Sequence, residues 1–152
     1  MCYLRPMNAY EFEHYIKSAV TEYASELTKS GMFAEKDSLK KSQQTFDMLL
    51  KDGVETDGQY LFHIINETDA IIGMIWFGIR PNNEGFIYDF SINEAFRSQG
   101  FGTKAMELVE TEAKSHGIKK LDLHVFGHNF AAISLYKKMG YEIYSMNMSK
   151  EI

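Results

Sequence analysis

Apolar positions recur with two different periods along this chain, and the places where the period changes divide it into elements. Tyr3 to Met7 is a short apolar run containing Pro6, which suits an edge strand. Asn8 then offers a helix N-cap, and Glu11 three residues later completes a capping-box pattern. Phe12, Ile16, Ala19, Val20, Tyr23 and Leu27 follow at helical spacing, with Gly31 as the stop. A second helix is predicted over Ser38 to Lys51, with Leu39, Phe46, Leu49 and Leu50 on its apolar side. Gly53 ends it, and a polar loop runs to Gly58. From Tyr60 the period is two. Strands are predicted over Tyr60–Ile65, Ala70–Ile79 and Gly85–Ile92, separated by turns at 66–69 and 81–83, and together they form an antiparallel meander.

Helical spacing returns from about Ser98 to His116, and Gly117 caps that helix. Leu121 to Phe126 reads as a strand, and the helical crossover before it makes a parallel pair. Asn129 opens a last helix that ends at Gly140, and Tyr141 to Met148 reads as a closing strand. The order predicts an α/β fold: a single mixed sheet, in which an antiparallel meander is followed by a parallel βαβ unit, with helices on both faces. Neither a repeat nor a linker interrupts it, so residues 1–152 read as a single domain.

Composition narrows the possibilities. The chain is 45% hydrophobic and 14% aromatic, ample for a packed core. Its net charge of −5, without a basic cluster, argues against nucleic acid as a partner. No apolar run reaches membrane-spanning length, and the N-terminal residues lack the pattern of a signal peptide. Cys2 is the only cysteine, so a disulfide framework and a cysteine metal site are both ruled out, and a reducing cytoplasm is the expected location. His124 and His128 have metal-like spacing but no third ligand, so no metal is expected.

The stretch Phe86 to Ala105 carries the chemistry. A strand passes through a short polar connection into a helix that starts at Gly100 and Gly102, with Arg97 before them. Glycines let several N–H groups converge on one anion, and the helix start adds its own orphan donors and dipole. The pattern is therefore a candidate phosphate cradle, although tight helix–sheet packing accounts for the same glycines. Gly100 to Ala105 also matches Gly-x-Gly-x-x-Ala, with Asp122 some distance on. A dinucleotide fold would run its strand directly into the first glycine, whereas residues 93–99 intervene, and only one βαβ unit is present. The triphosphate P-loop lacks its Gly-Lys-Ser/Thr.

Two motifs together carry a family resemblance. Arg97-Ser98-Gln99-Gly100-Phe101-Gly102 resembles the acyl-CoA pyrophosphate loop of the GCN5-related N-acetyltransferase (GNAT) superfamily. Asn129-Phe-Ala-Ala-Ile-Ser-Leu-Tyr136-Lys-Lys-Met-Gly140-Tyr141 is similar to its second signature, and the chain resembles a small, largely uncharacterised bacterial branch over nearly its whole length. The resemblance implies an acyl-CoA N-acyltransferase-like fold and transfer of an acetyl group from acetyl-CoA to an amine. On that reading Arg97 and Ser98 to Thr103 (Ser98, Gln99, Gly100, Phe101, Gly102, Thr103) hold the pyrophosphate. Phe90, Ser91 and Ile92 line the pantetheine arm, partly through main chain on a splayed strand edge. Asn129 is both a helix cap and, by resemblance, a cofactor contact.

By the same resemblance Tyr136 is the general acid. A tyrosine with a pKa near about 10 is protonated at neutral pH and can pass its proton to a thiolate whose conjugate acid lies near about 8.5. From spacing alone Tyr136 is equally a core aromatic. The amine must lose a proton, and Asp89 and His124 are the two candidate bases, each also readable as a satisfied polar residue. An acyl-CoA-binding sensor or scaffold of the same fold, without turnover, is the alternative function. The acceptor is a small-molecule or peptide amine. Only twelve residues follow the last helix, too few for the superfamily's usual pair of closing strands, so an open cleft is expected. Such a cleft suits a bulky acceptor, or a wall contributed by the second subunit of a homodimer.

Overall fold

The computed structural model describes residues 1–152. Its elements run β1 (Cys2–Pro6), α1 (Ala9–Lys29), α2 (Glu35–Leu49), β2 (Gln59–Asn66), β3 (Ile71–Arg80), β4 (Glu84–Ile92), α3 (Phe101–Ser115), β5 (Leu121–Leu123) and α4 (Phe130–Lys138). The five strands make one sheet in sequence order. β1 to β4 pair antiparallel and β4 pairs β5 in parallel. The mixed α/β sheet read from the two periods is therefore the observed fold.

Side chains of β2 and β3 alternate between two cores. Leu61, Met74 and Trp76 face α1 and α2, packing with Phe12, Val20 and Phe46. Phe62, Ile75 and Phe77 face the other way, with Ile87 of β4, onto Met106 and Val109 of α3. The capping box at the start of α1 forms as its spacing demands: Glu11 N–H donates to Asn8 Oδ1 (2.8 Å), and Asn8 N–H donates to Glu11 Oε1 (3.1 Å).

Four expectations need correction. Phe46, Leu49 and Leu50 pack on the core as predicted, but Leu39 of α2 is 57% exposed and Ser38 and Ser42 are buried in its stead. Small hydroxyl residues let α2 lie close on α1, and their polarity is satisfied there. Ser42 Oγ donates to Val20 O (2.6 Å), and Thr28 Oγ1 donates to Ser38 Oγ (2.8 Å). α3 begins at Phe101 rather than Ser98, since a 3-10 turn at Glu94–Phe96 and left-handed backbone at Ser98 (φ 60°) and Gly100 (φ 85°) precede it. β5 stops at Leu123, short of Phe126. The predicted closing strand at Tyr141–Met148 is absent: after Tyr141 N–H donates to Tyr136 O (2.9 Å), the segment makes no ladder bond. Its alternating pattern gives it strand propensity, but a strand requires a partner edge, and here the segment stands off from β5.

Candidate active site

The connection from β4 to α3 is pinned on one side and open on the other. Asn93 N–H donates to Ile72 O (2.7 Å), and Asn93 Nδ2 donates to Ile71 O (3.1 Å). Arg97 Nε donates to Ile92 O (2.8 Å), which leaves the far nitrogens of its guanidinium without a protein partner. Beyond that brace, the six backbone N–H groups from Ser98 to Thr103 find no acceptor in the protein, and the first helical bond is Lys104 N–H to Gly100 O (3.2 Å). Consecutive N–H groups around left-handed residues, at the positive end of a helix, form an anion-binding concavity. These donors fit a pyrophosphate. The two glycines serve different purposes. Gly100 supplies a φ of 85°, with only Met1 Cε at an ordinary 3.8 Å from where a Cβ would be, whereas a Cβ on Gly102 would stand 3.3 Å from Leu135 of α4. Packing and close ligand approach therefore both apply at Gly102.

β4 leads into this cradle along a free edge. Its parallel pairing with β5 runs from Gly85↔Leu121 to Ile87↔Leu123 and stops. On its other edge, Phe77 faces Ile87 while Trp76 faces Asp89, so Tyr88 is an extra residue with no counterpart on β3. Such a bulge bends a strand and increases its twist, and here it coincides with the point where β5 departs. Past the bulge, Asn93 N–H pairs with β3, so by alternation the main chain of Ser91 and Asp89 also faces β3. The main-chain groups of Phe90 and Ile92 then face the gap, apart from the Ile92 carbonyl taken by Arg97 and the Phe90 N–H turned to the Asp89 carboxylate. An extended chain bearing amides can pair with such an edge. Of the three residues expected to line the gap, Ser91 has its backbone committed to the ladder and its side chain exposed.

The bulge also re-aims Asp89. Strict alternation would put it on the Ile87 face, but it lies opposite Trp76, toward α1. There Tyr15 of α1 donates its hydroxyl proton to Asp89 Oδ2 at 2.6 Å. Burial raises the Asp89 pKa above the ordinary carboxylate value, the Tyr15 bond opposes that rise, and the nearby Glu22 charge adds to it. Tyr15 itself is raised well above a free tyrosine by burial and by Asp89. Tyr136, on α4, packs edge-on against Tyr141 with ring centroids 5.9 Å apart. Its hydroxyl has no protein partner, and burial, together with the Asp89 charge, pushes its pKa up to about 12. Phe90, next to Asp89 on β4, packs against the same core as Tyr136. Tyr15 was not singled out in the sequence. The available signal was a tyrosine on the apolar face of an amphipathic helix, where a buried hydroxyl needs a partner.

The other predicted residues spread around this centre. Asn129 caps α4, accepting Ala132 N–H on Oδ1 (3.2 Å), and its carboxamide nitrogen is free. His124 lies just past β5 rather than on it; it is exposed and edge-on to Phe126, with centroids 4.9 Å apart. Phe126 reaches Tyr23 of α1, and His128 bonds Glu26 of α1, so the β5–α4 loop is tied to the first helix. A cavity of about 1430 Å³ wraps the outer edge of β5 between the loop after α1 and residues 141–149. Tyr136, His124 and Phe86 line it, but the cradle and Asp89 do not. It is thus an opening onto Tyr136 distinct from the cradle. No group of three or more His, Cys, Asp or Glu side chains is placed to hold a metal ion. No helix is long and apolar enough to cross a membrane.

Comparison with known proteins bears on this arrangement. The model of the acetyltransferase (GNAT) family matches residues 19–141. The uncharacterized N-acetyltransferase YycN of Bacillus subtilis is 37% identical over 98% of this chain and 97% of its own length. YdgE from the same organism, also named an uncharacterized N-acetyltransferase, is 33% identical over the same shares. The crystal structure of YycN superposes with a TM-score of 0.94 at 36% identity, covering 100% of this chain and 99% of that one.

Proposed function

This chain belongs to the acetyltransferase (GNAT) family, and from that premise we propose that it transfers the acetyl group of acetyl-CoA to a primary amine. One observation carries the reading: six unpaired N–H groups lie at the end of a free strand edge, with an unpartnered tyrosine hydroxyl on the neighbouring helix. Bound acetyl-CoA supplies the activated thioester. Ser98 to Thr103 and Arg97 hold its pyrophosphate, Phe90 and Ile92 pair with its amide-bearing arm, and Asn129 contributes its free carboxamide nitrogen.

The acceptor nitrogen attacks only when neutral, and its N–H proton passes to a base as the N–C bond forms and the C–S bond breaks. We assign that base to Asp89 rather than to the exposed His124, because Asp89 is turned by the bulge beside the free strand edge, is held by Tyr15, and is the carboxylate whose charge acts on Tyr136. Tyr136 gives its hydroxyl proton to the departing sulfur and is reprotonated through water from Asp89, so protons balance over the cycle. The coupling also sets an order. While Asp89 is ionised, its charge holds the Tyr136 proton in place; once Asp89 has taken the amine's proton, that restraint is gone and Tyr136 becomes a stronger acid.

Because acetyl-CoA is an intracellular metabolite, the activity belongs in the cytoplasm. A bulky amine such as a peptide N-terminus or a lysine side chain is the acceptor favoured, its nitrogen meeting the thioester on the Asp89 side, while the open outer edge of β5 suits the wall of a second subunit. Release of free CoA, measured with polyamines, amino acids, aminoglycosides and peptides against a blank without amine, tests the proposal. Amine-dependent release is expected. Binding of acetyl-CoA with no release for any amine would favour a sensor or scaffold.

A further inference from the structure

We infer that Tyr15 is a positioning residue for the base: its hydroxyl fixes one oxygen of Asp89 and leaves the other to face the acceptor nitrogen. The inference rests on the assignment of Asp89 as the base. Its foundation is geometric. Asp89 projects from a bulge, where backbone alternation alone does not fix the direction of a side chain. The 2.6 Å bond from Tyr15 joins that bulge to a helix packed against the far core, at a length typical of a hydroxyl donating to an ionised carboxylate. Tyr15 has no other side-chain hydrogen-bond partner, and Asp89 takes part in no salt bridge, so each fixes the other.

The charges around Asp89 make this donor matter. Glu22 joins Tyr15 on α1, Tyr136 approaches from α4, and the Phe90 amide lies next along β4; no cation offsets the carboxylate. The hydroxyl of Tyr15 and the amide of Phe90 are the two groups that favour the ionised form against burial and Glu22. Without Tyr15's proton the carboxylate would be harder to ionise and free to rotate. The base would then be protonated over more of the pH range, while the acetyl-CoA site, built by β4 and α3, would be untouched.

Tyr15→Phe keeps the ring in the core and removes only the hydroxyl. The test combines carbon-13 titration of the Asp89 carboxyl, assigned by its loss in Asp89→Asn, with rates on the amines of the panel. In Tyr15→Phe the Asp89 titration should move to higher pH. The turnover number at neutral pH should fall roughly 10- to 100-fold, the range expected for one lost hydrogen bond to a charged group. The rate should recover toward the parent's as pH rises, and the thermal shift given by acetyl-CoA should stay at the parent's value. A purely structural tyrosine would lower the melting temperature without moving the carboxyl titration. A Tyr15→Phe variant with the parent's titration and rate, alongside an inactive Asp89→Asn, would overturn the role of Tyr15 alone. An Asp89→Asn variant as active as the parent would remove the base assignment and this inference together.

Discussion

The two edges of β4 are made of the same strand and behave as opposites. Toward β3 it pairs from Arg80↔Glu84 to Gly73↔Ile92, interrupted only at the bulge, between two dry cores. Toward β5 it pairs as far as Ile87 and then presents bare main chain, followed by six N–H groups with no acceptor. One edge stabilises the fold, and the other is stable without being satisfied. The lesson is that the candidate site lies where the sheet stops, and that stability and ligand binding should separate under mutation.

The largest expected effect is chemical. Tyr136→Phe should lower turnover by roughly 10²–10⁴ while acetyl-CoA binding, read by calorimetry, stays close to the parent's. Full activity in that variant would return Tyr136 to the core. Next comes the β3 side: Ile75→Ala removes a fully buried side chain and should cost about 2–5 kcal/mol of stability by denaturant unfolding. Below its melting point it should still respond to acetyl-CoA. Gly100→Val should do the reverse. A branched residue at φ 85° is strained by about 1–2 kcal/mol and displaces the N–H groups, so the thermal shift with acetyl-CoA should vanish while the unliganded protein remains folded. A Gly100→Val protein that still shifts like the parent would put the anion site elsewhere. The smallest effect is expected at Ser98, a non-glycine residue at φ 60°. Ser98→Gly should stabilise the unliganded protein by no more than about 1 kcal/mol, because relief of strain is offset by the greater chain entropy of glycine.

Much of this division was legible in the sequence. The strand-to-helix junction was, because Gly100 and Gly102 mark it, although those glycines read equally as packing or as a cradle, and the meander was, because alternation in Tyr60 to Ile92 is strong. The direction of Asp89 was not: Ile87 and Asp89 are two apart and read as one face, and nothing in the residue types announces that Tyr88 is surplus. Tyr15 was hidden for a related reason, since its partner is 74 positions away. The Tyr141–Met148 segment misled in the opposite direction. Its residues have the pattern of a strand, yet Met146 is 70% and Met148 91% exposed, because pattern supplies propensity and only a neighbour supplies a ladder.

The surplus residue at Tyr88 has a consequence for how this protein tolerates genetic change. Substitutions at codon 88 leave the length of β4 intact, so the bulge persists and the slot beside it stays open. Loss of that codon would be a different kind of event. Ile87 would still face Phe77 and Asp89 would still face Trp76, so each side chain would keep its place in the register. The strand would run straighter and β5 could follow it further, closing the gap proposed to receive acetyl-CoA, while the stacking of Tyr88 on Trp76 (ring centroids 4.6 Å) would be lost. An in-frame deletion of three nucleotides is thus expected to leave a folded chain that no longer responds to acetyl-CoA.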